Sequence, residues 1–217
     1  DFVVVLTKRD AAEWQNKLNL KAEVLDVPNV NAFSNVSAQY NAESKTIVSV
    51  GRYTKVKGFD RLIRIWKLLQ ERYECFDWNL DIVGYGEEYS NLSALISSLQ
   101  VTGVRLIKYD DVSEAYRKAA IYCMTSYSEG LPMVLIEAQS FGVPAVAFDI
   151  FTGPSEILSN DSGILVPDGN LDDYVEKLYE LMMDVDLRKD MSIVALNRRQ
   201  AFSHEVVVAR WLNIIYH

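Results

Sequence analysis

The stretch that decides the fold is Thr46-Ile47-Val48-Ser49-Val50-Gly51-Arg52-Tyr53-Thr54-Lys55-Val56-Lys57-Gly58, followed by Phe59, Leu62, Ile63, Trp66 and Leu69. The short apolar run at its start reads as a buried strand, and the later apolar residues recur at helical spacing. Between them lie two glycines that bracket Arg52, Lys55 and Lys57. Strand, glycine-bearing turn and amphipathic helix together make the repeating unit of an α/β domain. The pattern continues toward the C-terminus, with strands expected at Thr46–Val50, Asn79–Val83, Val104–Ile107, 120–124, 145–148 and 164–166. Tyr89, Leu92, Leu95, Ile96 and Leu99 form a second helical set, and Leu171, Val175, Leu178, Tyr179 and Met182 a third. Such alternation requires right-handed crossovers and a parallel sheet covered on both faces. The expected fold class is therefore α/β, a doubly wound, Rossmann-like parallel sheet.

Toward the N-terminus the texture changes. Residues 2–6 read as a buried strand, 10–18 as a short helix and 22–27 as a strand ending at Pro28. The following stretch, 29–44, is polar and rich in Asn, Ser and Ala, like a linker or hairpin. Residues 1–30 are expected to be the last strand–helix–strand of a preceding domain; the alternative is the first unit of the same domain. The remainder divides into a linker (31–44), the Rossmann-like domain (45–202) and a C-terminal helix (203–217). Ser203 is the expected cap of that helix, with Val206, Val207, Ala209, Arg210 and Trp211 following. The chain opens on Asp1 and not on Met, which suggests a piece of a longer polypeptide.

Composition narrows the function. A chain of 217 residues, 49% hydrophobic, can bury one large core. A mean hydropathy of -0.01 and 24% charged residues describe an ordinary globular protein. No apolar run approaches the roughly 20 residues that span a bilayer, and no signal-peptide pattern opens the chain. The net charge of -8 excludes the basic face that nucleic acid requires, while a small anion needs only a few local donors. Cys75 and Cys123 cannot build a disulfide framework and are expected to be reduced, buried and cytosolic. His204 and His217 sit near the end of the chain, which excludes a His-based metal cluster. Asp184-Val185-Asp186 spells a D-x-D metal pattern, but it lies between two helical runs, where Asp186 reads as an N-cap. No metal site is expected.

In open parallel sheets, ligands bind beyond the C-terminal ends of the strands. The special residues of this chain gather there: Gly51 to Gly58, Gly84-Tyr85-Gly86-Glu87, Lys108-Tyr109-Asp110-Asp111, Ser126 to Pro132, and Thr152-Gly153-Pro154. The first loop is not a Walker A motif, because Val56 stands where the second glycine would be. Its Arg52 and Lys57 nevertheless suit a diphosphate, the alternative being a turn with solvated basic residues. Gly84-Tyr85-Gly86 starts like a dinucleotide fingerprint, but Tyr89 replaces the third glycine. It reads instead as a tight turn that lets backbone approach a ligand.

The segment from Ser128 to Ala138 is the most informative. Pro132 favours a helix start, and Gly142 before Pro144 ends that helix. Free N–H groups from Leu131 to Leu135 would make an anion site. Glu129 precedes the helix, where a sugar on a bound diphosphate would lie. Glu137, about one turn in and tilted back toward the N-terminus, would reach a ribose diol. The alternative makes both glutamates solvated charges. Against it, Val134, Leu135, Ile136 and Ala138 point to a buried helix, in which a carboxylate needs hydroxyl or cationic partners.

These pieces, in this order, resemble family-4 (group 1) glycosyltransferases. The matching residues are Ser49-Val50-Gly51-Arg52 with Lys57-Gly58, Gly84-Tyr85-Gly86-Glu87, and the E-x7-E element from Glu129 to Glu137. Gly142-Val143-Pro144-Ala145-Val146, Gly153-Pro154-Ser155-Glu156-Ile157 and Gly163-Ile164-Leu165-Val166-Pro167 complete it. The resemblance implies the C-terminal half of a two-domain GT-B enzyme, a retaining, metal-independent glycosyltransferase of the hexosyltransferase type that serves polysaccharide biosynthesis. The implied reaction moves a sugar from a nucleotide-diphosphate sugar, with a UDP-sugar favoured, to a glycan or lipid-linked acceptor. It implies that Arg52 and Lys57 hold the diphosphate, that Glu137 holds the ribose and that Glu129 contacts sugar hydroxyls. Glu129, Arg52 and Lys57 are thereby the catalytic set. The backbone of Gly130, Leu131, Pro132, Met133, Val134 and Leu135 would contact sugar and phosphate, and Gly51, Gly84, Ile107 and Lys108 would line the phosphate and base sites. No cofactor, metal or nucleic acid is implied. Family members carry about half their chain, with the acceptor site, before this domain, and here only 1–30 could represent it. The implied location is cytoplasmic, with any contact with the inner membrane face made through that missing N-terminal domain. Two other readings stay open: a sugar-nucleotide epimerase of the same architecture, and a non-catalytic nucleotide-binding module.

Overall fold

Successive strand residues are buried on both faces of the sheet: Ile47 with Val48, Ile121 with Tyr122, Val146 with Ala147 are each at most 1% exposed. That is the burial of a parallel sheet sandwiched between helices. The computed structural model describes residues 1–17, 21–37, 39–73, 77–108, 111–159 and 161–216. In chain order the elements are β1 (Phe2–Val5), α1 (Lys8–Lys17), β2 (Glu23–Asp26), β3 (Thr46–Val50), α2 (Phe59–Arg72), β4 (Asn79–Val83), α3 (Tyr89–Leu99), β5 (Val104–Ile107) and α4 (Ser113–Lys118). There follow β6 (Ile121–Met124), α5 (Met133–Ser140), β7 (Ala145–Asp149), α6 (Pro154–Ile157), β8 (Gly163–Pro167), α7 (Leu171–Met183), α8 (Val185–Arg198) and α9 (His204–Tyr216). The expected strands are all present, with ends shifted by a residue at β6, β7 and β8.

Among the described residues, the main sheet has six parallel strands in the order β5-β4-β3-β6-β7-β8. Thr46 pairs with Asn79 on one side of β3 and Ile47 with Ile121 on the other. The chain steps outward from β3 to β4 and β5, then returns to β6 and steps the other way. A crevice therefore opens between the C-terminal ends of β3 and β6. On one face α2 packs against α3 and α7, and on the other α5 packs against α8. The fold is thus the doubly wound α/β sheet expected from the alternation.

Among the described residues, the strands of 1–30 do not join that sheet. β1 and β2 pair with each other, Phe2 opposite Glu23, in a separate two-stranded parallel sheet bridged by α1. Where a hairpin was one possibility, the described part of 29–44 has turns and no strand, and it is tied to the domain. Asn31 Nδ2 donates to Ser140 Oγ at 2.5 Å, Tyr40 donates to the Ala120 carbonyl at 2.7 Å, and Arg199 Nη1 reaches the Val36 carbonyl at 2.9 Å.

Helix ends follow local chemistry. The last turn of α5 closes with Val143 N–H on the Ala138 carbonyl and Gly142 N–H on the Gln139 carbonyl, with Gly142 at φ 68. Ser203 accepts from Val206 N–H at 3.3 Å, so it caps α9 as expected. At α8 the cap is Asp184, whose Oδ1 accepts from Leu187 N–H at 2.8 Å. The expectation that Asp186 plays this role fails because the helix starts at Val185, two residues earlier than a cap at Asp186 would require. Cys123 is free and buried, and burial pushes its thiol up to about 12. Cys75, Tyr109, Asp110 and His217 lie outside the described residues.

Candidate active site

The basic loop after β3 is held by backbone. Gly51 N–H donates to the Val83 carbonyl at 3.0 Å and Tyr53 N–H to the Tyr85 carbonyl at 2.8 Å. The Tyr53 ring is buried, and its hydroxyl donates to the Ile82 carbonyl at 2.8 Å. Gly84 stands at φ 157, and a Cβ there would lie 1.8 Å from the Gly51 carbonyl oxygen. Only glycine allows the two strand ends to approach so closely. Gly58, at φ 61, ends the 3-10 turn Lys55–Lys57 and starts α2. A Cβ on it would meet the Thr125 carbonyl oxygen at 2.1 Å. This contact joins the loop after β3 to the loop after β6.

That junction brings Lys57 onto Glu129. Lys57 Nζ lies 2.6 Å from Glu129 Oε1, with side chains 22% and 12% exposed. Ser126 Oγ donates to the same oxygen at 2.7 Å, and Thr152 Oγ1 donates to the Glu129 carbonyl at 2.5 Å. Gly153, at φ 99, lets the loop after β7 close on the Gly130–Pro132 turn, since a Cβ there would be 2.3 Å from Pro132 Cδ. Glu129 is therefore fixed twice over, its carboxylate by Lys57 and Ser126 and its backbone by Thr152. The solvated-loop alternative for it is excluded.

Beside this pair lies a cavity of about 250 Å³ at the ends of β3, β4 and β5, lined by Gly51, Arg52, Gly84, Tyr85, Lys108 and Glu137 with three valines. Five residues expected in the site thus share one cavity. Ile107 reaches an adjoining hollow, walled by Tyr53, Tyr85, Tyr89 and Lys108. Lys57 is close by, since its Cδ would touch a Cβ on Gly51 at 3.4 Å. Arg52 is exposed, and among the described residues its guanidinium has no ion-pair or hydrogen-bond partner. Glu137 is half-buried; burial raises its carboxyl, while the hydrogen bond from Tyr116 and the charge of Lys57 pull it back down. Tyr116 donates to Glu137 Oε2 at 2.6 Å. Three cations and two carboxylates meet here, in a chain that is acidic overall.

The helix terminus is narrower than expected. α5 starts at Met133 after Pro132, which has no N–H, and Leu135 N–H is already bonded to the Pro132 carbonyl at 3.0 Å. Leu135 is fully buried and offers a ligand nothing. Met133 and Val134 are the first-turn donors that remain, together with the Gly130 and Leu131 amides of the preceding turn. Leu131 also faces away from the small cavity, into a larger one of about 580 Å³ shared with Leu6, Lys8, Glu156, Arg198 and Phe202. Sequence reasoning missed Tyr116, Ser126, Thr152 and Tyr85. Ser126 and Thr152 were within the rim loops already singled out, but nothing local distinguishes a site hydroxyl from a turn hydroxyl.

The architecture and the site define a class: a Rossmann-like domain with a cavity lined by two glycines and flanked by basic side chains at its topological switch point. Residues 32–198 match the family of glycosyl transferases group 1, and the chain belongs to it. It is 34% identical, over 99% of its own length, to an uncharacterized glycosyltransferase of Haemophilus influenzae. It is 33% identical, over 98% of its length, to the amylovoran biosynthesis glycosyltransferase AmsD of Erwinia amylovora. The chain spans 61% of the length of each of these two relatives. Among solved structures it resembles a TarM variant of S. aureus, crystallised with fondaparinux, alpha-GlcNAc-glycerol and UDP, with a TM-score of 0.88, 24% identity, and coverage of 97% of this chain and 43% of that one. The pneumococcal O-GlcNAc transferase GtfA, in complex with UDP and GlcNAc, gives a TM-score of 0.83 at 21% identity, covering 100% of this chain and 45% of that one. The domain is the C-terminal Rossmann-like half of the GT-B architecture. Among the described residues no helix is long and apolar enough to cross a membrane.

Proposed function

We propose that this chain carries the donor site of a retaining glycosyltransferase that uses a nucleoside-diphosphate sugar, a UDP-sugar by preference, and a glycan or lipid-linked acceptor. The observation that carries the reading is the shared cavity of Gly51, Arg52, Gly84, Lys108 and Glu137 beside the Lys57–Glu129 pair. Its cations suit a diphosphate, its glycines let backbone approach the phosphates, and its half-buried carboxylate suits a diol. The two structural relatives named above were crystallised with UDP, which supports the choice of base.

In this reading Arg52 and Lys57 receive the diphosphate with the Met133 and Val134 amides. Breaking the anomeric C–O bond leaves negative charge on the departing diphosphate and positive charge on the sugar ring. Fixed cations and a helix N-terminus stabilise the first without requiring a metal. Glu129, held by Lys57, Ser126 and Thr152, orients sugar hydroxyls next to the breaking bond. Lys57 serves both groups, bonding Glu129 and setting its charge beside the diphosphate. Residues 1–30 are the edge of an acceptor-binding domain, and 31–44 are the connection between the two. The enzyme works in the cytoplasm, and contact with the inner membrane face, where lipid-linked acceptors lie, is made through the acceptor-binding domain.

Calorimetry with UDP, GDP, ADP and their sugar conjugates tests the proposal. Binding of UDP with loss of roughly 10- to 100-fold affinity in Arg52→Ala is expected from one charge-assisted phosphate contact. Failure of every nucleoside diphosphate to bind would overturn it. Turnover of the sugar nucleotide without acceptor, to an epimer, would favour the epimerase reading instead.

A further inference from the structure

Glu137 has two carboxylate oxygens, and the fold treats them unequally. Oε2 accepts a 2.6 Å hydrogen bond from the Tyr116 hydroxyl, while the side chain as a whole lines the cavity shared with Arg52, Gly84 and Lys108. Tyr116 is set into an aromatic cluster. Its ring stacks on Phe141 at 5.4 Å and 17°, lies 6.0 Å from the Tyr122 ring, and meets Phe33 edge-on at 6.3 Å. With 1% of its surface exposed, it has no access to water. A buried hydroxyl needs an acceptor within reach, and Glu137 Oε2 is that acceptor. Burial, Tyr122 and Glu137 itself push the Tyr116 hydroxyl well above the usual phenol range, so it stays a donor.

We propose that Tyr116 is a positioning residue: by occupying Oε2 it holds the Glu137 carboxylate so that Oε1 alone faces the cavity, ready to accept from the vicinal hydroxyls of a ribose. The inference rests on the reading of Glu137 as the ribose anchor. A terminal carboxylate torsion is broad and roughly two-fold, so without a lock the plane of the group swings freely. Phe141, at the C-terminus of α5, and Phe33, from the segment before β3, keep the phenol in place. The lock therefore reaches from the ribose contact back into the core. A tyrosine here supplies both the packing and the donor.

The test compares UDP with 2′,3′-dideoxyuridine diphosphate by calorimetry on the wild-type chain, Tyr116→Phe, Glu137→Gln and the double variant. Phe keeps the ring and its stacking, and thermal melts report whether the variants remain folded. The wild type should prefer the ribose form. Tyr116→Phe should lose about 3- to 10-fold in affinity for UDP, the worth of one hydrogen bond to a charged group that water partly replaces, and nothing for the dideoxy compound. Glu137→Gln should abolish the preference, and adding Tyr116→Phe to it should change nothing further. Equal loss for both ligands in Tyr116→Phe would mean a purely structural role and overturn the inference. If Glu137→Gln abolishes the preference while Tyr116→Phe retains it, the inference alone fails. If Glu137→Gln retains the preference, the ribose-anchor reading fails and the inference falls with it.

Discussion

Replacing Lys57 with Met keeps the hydrocarbon stem against Gly51 and removes only the charge, so it isolates the bond to Glu129. That bond is 2.6 Å long, and its partners are 22% and 12% exposed, which places it between a surface pair and a buried one. A charge-assisted hydrogen bond contributes roughly 1.5–3 kcal/mol, and here Ser126 still donates to the same oxygen while some water reaches the pair. The expected cost of Lys57→Met is therefore about 1–2 kcal/mol, or about 2–8 °C in Tm for a chain of this size. Glu129→Gln keeps an acceptor for Ser126 and should cost about 1 kcal/mol. Because both changes remove one contact, the double variant should be less destabilised than the sum, by a coupling energy of about 1 kcal/mol. Urea denaturation of the four proteins at low and high salt measures it. A coupling below about 0.3 kcal/mol, or one that vanishes in about 1 M salt, would show a solvated pair that does not fix Glu129. The same variants should then bind UDP differently. Lys57→Met should weaken it, whereas Glu129→Gln should spare UDP and reduce the advantage of its sugar conjugate.

Gly58→Ala should cost about 2–4 kcal/mol in urea unfolding, combining the left-handed backbone with displacement of the Thr125 carbonyl, and a cost under about 1 kcal/mol would refute the close approach. Burial raises the Glu137 carboxyl, so its contribution to stability is fully present below the unfolded carboxyl value and is lost as pH rises through the folded one. Wild type should thus lose stability relative to Glu137→Gln as pH rises above the ordinary glutamate value of 4.5, and an unchanged difference above that value would count against it. Asp184→Ala should cost about 1 kcal/mol as the cap of α8, while Asp186→Ala stays within about 0.5 kcal/mol; the reverse order in thermal melts would restore Asp186 as the cap.

What was legible in the sequence was whatever repeats locally. The apolar runs at Thr46–Val50 and Asn79–Val83 and the spacing of Phe59, Leu62, Ile63, Trp66 and Leu69 encode strand and helix through side-chain period alone. Their alternation implies a parallel sheet, and the rule that ligands bind beyond its strand ends placed Gly51, Arg52, Gly84 and Lys108 on one rim, while the backward tilt of helical side chains brought Glu137 toward it. Pro132 and Gly142 marked the two ends of α5 by their own backbone chemistry. What only the tertiary structure decided was which rim residues meet. That Lys57 pairs with Glu129 depends on Gly58 lying against the Thr125 carbonyl, a contact between loops 67 residues apart. That Tyr116 satisfies Glu137 depends on how α4 and α5 pack against the sheet. Partners of this kind have no period and no fixed spacing. They arise because packing forces buried polar groups to find one another wherever the fold has carried them.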